Sequence, residues 1–88
     1  DGPLVWMKEL SKESKKELVI DRKALEEFRR AEAKGGALPK VRASSTAAAI
    51  KTEEKALKEL DDVIKQVEDG LISEREAIHK LAEGSQFE

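Results

Sequence analysis

The chain has 88 residues, 41 % of them charged and 3 % aromatic, with a formal net charge of −2 and no cysteine. That length gives one domain with a modest core, often completed by a partner. The missing cysteines exclude disulfide frameworks and thiolate metal sites, and leave a reducing, cytoplasmic setting as the expectation. No apolar run approaches the roughly 18 residues that a membrane span needs. The chain opens on Asp1, so it reads either as a piece of a longer protein or as a chain whose natural start is Met7.

Charge is unevenly spread. Residues 1–51 carry 12 Lys/Arg against 8 Asp/Glu, and residues 52–88 carry 5 against 11. A chain polarised in this way can pair head to tail with itself, or show its basic half to an anionic partner.

Residues 3–7, PLVWM, and residues 18–20, LVI, are short apolar runs on either side of a polar stretch. β-Branched residues favour strands, so the two runs read either as a short N-terminal β-hairpin or as turns of one long helix. Asp21 is a candidate N-cap for a helix with Ala24, Leu25, Phe28 and Ala31 on one side. Gly35 and Gly36 end that helix. The stretch 35–45 reads as a mobile linker containing Pro39, with Ser44, Ser45 and Thr46 as alternative caps for the next helix. The chain thus divides into a charged N-terminal segment 1–34, a linker 35–45 and a helical hairpin 46–84.

Ile50, Leu57, Leu60, Ile64, Val67 and Leu71 follow the alternating three- and four-residue spacing of a coiled-coil seam, with Glu53 in the slot between Ile50 and Leu57. Gly70 then terminates the helix. Ser73 and Glu76 have the capping-box spacing, with Ile72 and Ala77 placed as a hydrophobic staple. The short turn predicts an antiparallel C-terminal hairpin. The fold expected is a small, mainly α domain.

The spaced residues Leu57, Leu60 and Ile64, followed by Gly70, Leu71, Ile72, Ser73, Glu74, Glu76 and Leu81, resemble the short C-terminal helical hairpin of the SHOCT family. That family has a bulky aromatic where this chain has Ala77. The same turn is similar to the tails of some phage portal and head proteins. The resemblance implies oligomerisation or docking, and no chemistry.

The residues themselves offer little chemistry. The single histidine, His79, has only Glu76 and Glu83 as local companions, whereas zinc sites normally add His or Cys. Asp61 and Asp62 are adjacent on a helix and point apart. The segment KGGALPK lacks phosphate-loop spacing. The expectation is a non-enzymatic protein–protein interaction or oligomerisation module without cofactor. Its candidate interaction residues are Leu57, Leu60, Ile64, Val67, Leu71, Ile78 and Leu81, and its partner is a protein or a second copy. Coverage of Ile50 and Leu57 is expected from a second chain, because Leu25 and Phe28 are the only large apolar groups of residues 22–34. The alternatives are an antitoxin-like partner-binding protein, or a weak nucleic-acid binder using Lys34, Lys40, Arg42 and Lys51 as phosphate contacts.

Overall fold

The computed structural model describes residues 2–84 as three helices: α1 (Pro3–Ala33), α2 (Ala37–Glu68) and α3 (Glu74–Gly84). Asp1 lies outside the described residues. The described part is elongated, with principal extents of 52 × 25 × 18 Å. No described helix is long and apolar enough to cross a membrane.

The N-terminal β-hairpin is not formed; both of its apolar runs lie within α1. Pro3 occupies the first turn, where its missing N–H has no intrahelical acceptor to satisfy. Strand propensity at Leu18, Val19 and Ile20 amounts to fractions of a kcal/mol, and packing overrides it. Leu18 is buried while Val19 and Ile20 stay exposed, a helical division of sides and not an alternating one. Asp21 consequently sits in mid-helix and caps nothing.

The linker is likewise shorter than expected. Only Lys34, Gly35 and Gly36 separate α1 from α2, and residues 37–45 are helical. Pro39 is the third residue of α2, inside the first turn, so it interrupts no helical hydrogen bond. Gly36, not Ser44, Ser45 or Thr46, is the N-cap residue. A Cβ on Gly36 would come within 3.1 Å of the Pro39 Cδ, so this tight entry requires glycine.

The second turn forms as its spacing predicts. Gly70 has φ 74°, and the Gly70 and Leu71 N–H groups donate to the Val67 and Gln66 carbonyls. The Glu76 N–H donates to Ser73 Oγ at 3.1 Å, and the Ser73 N–H to Glu76 Oε1 at 3.4 Å. Ser73→Ala should therefore lower stability by about 1 kcal/mol. Chemical denaturation monitored by circular dichroism checks this, and an unchanged midpoint would show that the cap contributes nothing.

Candidate interaction surface

α1 and α2 pair along their lengths as an antiparallel coiled coil. On α1 the seam positions are Leu4, Ser11, Leu18, Leu25 and Glu32, alternating with Met7, Ser14, Asp21 and Phe28. All are buried or half-buried. On α2 they are Ala43, Ile50, Leu57 and Ile64, alternating with Pro39, Thr46, Glu53, Leu60 and Val67, again all buried or half-buried. The seam of α2 is thus covered by α1 of the same chain. The expected second chain over Ile50 and Leu57 is not needed: Ile50 is 6 % exposed within the single chain.

The seam has two unlike flanks. Along one runs a ladder of ion pairs: Lys8 with Glu68 at 2.5 Å, Lys15 with Asp61 at 3.5 Å and Arg22 with Glu54 at 2.7 Å. The cations are seven residues apart on α1 and the acids seven apart on α2. Each pair is about half exposed, so each contributes at most about 1 kcal/mol. Their larger effect is on register, since a one-turn slip would set unlike partners out of reach. Asp61 also accepts the Ser11 hydroxyl at 2.5 Å, which satisfies a buried polar group in the seam. Arg22→Glu should lower stability by about 0.5–1 kcal/mol, and adding Glu54→Arg should restore most of the loss. A double-mutant cycle in low and high salt measures it; additive effects would mean that the pair is not coupled.

The other flank is lined by Leu10, Glu17, Ala24 and Ala31 on α1 and by Arg42, Ala49, Ala56 and Val63 on α2. α3 occupies one end of it. Val63 points to this flank and not into the α1–α2 seam, yet it is only 7 % exposed. It shares a core cluster with Met7, Leu60, Ile64 and Ala77, against which Leu4, Val67, Ile72 and Leu81 pack. Lys80 of α3 also donates to Gln66 of α2 at 3.1 Å. Beyond α3 the row containing Val67 and Leu60 continues as Glu53. Here the carboxyl of Glu53 faces those of Asp21 and Glu17. Its pKa is held above the ordinary 4.5 by loss of hydration, by a hydrogen bond with Asp21 that needs a proton, and by the negative charges of Asp21 and Glu17.

The candidate interaction residues therefore separate. Leu60 and Ile64 are buried, and Leu57, Val67 and Leu81 half-buried, inside the chain's own core. Leu71 and Ile78 remain outside it, 73 % and 43 % exposed. Near them, at the same end of the molecule, the neighbours of buried Met7 on α1 include Trp6 and Leu10, 55 % and 41 % exposed. The candidate phosphate contacts do not converge. Lys34 lies in the inter-helix turn. Arg42 is about 200° around α2 from Lys40, and Lys51 is about three turns along from it. His79 is exposed, with Nδ1 3.8 Å from a Glu83 carboxylate oxygen.

Compared with protein-family models, curated proteins and solved structures, the chain matches none. Its surface must be read from its own residues. Sequence reasoning passed over the ion-pair ladder, although Lys8, Lys15 and Arg22 and then Glu54, Asp61 and Glu68 all recur at seven residues. A search for heptad spacing among charges, as well as among leucines, would have found it.

Proposed function

We propose that the chain is a non-enzymatic helical protein–protein interaction module, which assembles with itself or with a larger host assembly such as a phage structural protein. Its C-terminal antiparallel hairpin, residues 57–81, is the SHOCT-like part. The observation that carries the reading is the group of apolar side chains left in solvent around α3: Trp6, Leu10, Leu71 and Ile78. Tryptophan is among the residues enriched at the centres of protein interfaces. Two groups weighed for chemistry hold the fold: Ser73 caps α3, and Asp61 joins Ser11 and Lys15.

Trp6 is the only tryptophan and reports on this end directly. Sedimentation of the whole chain over a wide concentration range, with acrylamide quenching of Trp6, tests the reading. Assembly through this end should raise the mass and shield Trp6 together. The paired change Leu71→Ser with Ile78→Ser, which keeps the Trp6 reporter, should remove both effects while helix content stays. A mass that rises with Trp6 still freely quenched would place the interface elsewhere.

A further inference from the structure

The two flanks of the α1–α2 pair end differently. The first is closed by cross-helix ion pairs from Lys8 to Glu54. The second is covered by α3 at one end only. α1 has 31 residues and α3 has 11. At 1.5 Å per residue, about 30 Å of that flank has no third helix over it, room for a helix of about 20 residues.

The uncovered part has the shape and charge of a receiving surface. Ala24, Ala31, Ala49 and Ala56 are small enough to let a helix approach closely, and Phe28 is half-buried at its edge. At its middle stand Glu17, Asp21 and Glu53. Among the described residues no ion pair reaches any of the three, whereas the acids of the opposite flank, Glu54, Asp61 and Glu68, each have a cation within 4 Å. Two of the three acids, Asp21 and Glu53, sit in seam positions where apolar side chains would pack better. Loss of hydration, the hydrogen bond with Asp21 and the like charges of Asp21 and Glu17 all raise the pKa of Glu53, and no cation offsets them.

We propose that this open flank receives one basic amphipathic helix from another protein, which continues the line of α3 and sets Lys or Arg against Glu17, Asp21 and Glu53. The bound state is a complete three-helix bundle, its third position filled by α3 and the incoming helix end to end. A lysine or arginine there supplies the charge that the free chain lacks, and an alanine-and-leucine stripe on the same helix fits the small residues beside it. A second copy offering this same flank is disfavoured, because a twofold contact would bring two sets of these acids together. This rests on the interaction reading above and specifies its partner.

The probes are two 20-residue helical peptides with one alanine-and-leucine stripe, flanked by Lys in the first and by Glu in the second. Each is titrated into the whole chain by calorimetry, with amide shifts followed by NMR. The Lys peptide should bind and shift Ala24, Phe28, Ala49 and Glu53. Neutralising the cluster with Asp21→Asn and Glu53→Gln should weaken it at least about tenfold, as loss of buried charge partners does. The Glu peptide should not bind there. Equal binding of both peptides, or no change in the neutralised variant, overturns the proposal. Shifts confined to Trp6, Leu71 and Ile78 overturn it while leaving the interaction reading standing. Doubling of the mass without peptide, with shifts on the open flank, would assign the flank to a second copy instead. A chain that binds neither peptide overturns this proposal, and if it also stays a monomer with Trp6 fully quenched, self-assembly is removed from the reading above.

Discussion

Met7→Ala should lower stability by about 2–5 kcal/mol, the range for truncating a fully buried Met, Leu or Ile. Met7 is 0 % exposed and is the largest wholly buried side chain among the described residues. It joins three helices at one point, packing with Leu60, Val63 and Ile64 of α2 and Ala77 of α3. A small domain has only about 0.05–0.15 kcal/mol of stability per residue, so this loss takes a large share of the total. The α3 end should suffer first, because Ala77 and Leu81 lose the surface on which they rest. Urea unfolding gives the global change, and hydrogen exchange at residues 77–83 gives the local one. Unchanged exchange there, with a wild-type midpoint, would mean that the start of α1 does not hold α3.

The opposite sign is expected at Glu53. Glu53→Leu should raise stability by about 1–2 kcal/mol, within the usual yield of a well-placed stabilising change. The position continues the row of Leu60 and Val67, is half-buried, and places a carboxylate beside Asp21 and Glu17. Leucine there adds apolar burial and removes two repulsions. At about 4–8 °C per kcal/mol for a domain of this size, thermal unfolding reads the change easily. The pH dependence gives an independent check. The folded pKa of Glu53 lies above its ordinary 4.5, so between those values the folded chain holds more protons than the unfolded one. The contribution of this group to stability therefore improves as pH falls through the folded pKa toward 4.5, and worsens as pH rises. Glu53→Leu and Glu53→Gln should both remove that slope. If instead Glu53→Leu were destabilising, the carboxylate would have to be making a favourable contact, and the uncompensated cluster would be wrongly described.

The pair of substitutions also separates folding from binding. Met7→Ala weakens the scaffold that carries every surface. Glu53→Leu strengthens the scaffold and should weaken capture of the Lys peptide, since it removes one of the three acids while leaving the helices in place. Stability gained where binding is lost is a known pattern at functional sites.

The mainly α character was legible in the residues, and so was most of the turn after α2. Gly70, Ser73 and Glu76 act through local backbone geometry and hydrogen bonds three residues apart, which depend on nothing distant. The seam of α2 was legible for a related reason, because Ile50, Leu57, Leu60, Ile64 and Val67 are apolar at the right period. α1 was harder to read. Its seam carries Ser11, Ser14, Asp21 and Glu32 among its apolar residues, so the hydrophobic period is broken, and Val19 and Ile20 imitate a strand. Only contact with α2 distinguishes these positions: Ser11 is buried because Asp61 accepts its hydroxyl. The helical state of residues 37–45 follows from Pro39 falling in a first turn, and that depends on where the helix begins. Tertiary packing likewise decided which leucines are core. Leu60 and Leu71 look alike as members of one heptad run, yet Leu60 is 5 % exposed and Leu71 73 %. The period states which side of a helix is apolar; the end of α2 at Glu68 and the turn at Gly70 take Leu71 off that side. The open flank beside α3 follows from helix lengths combined with antiparallel register, which become a surface only when the three helices are packed.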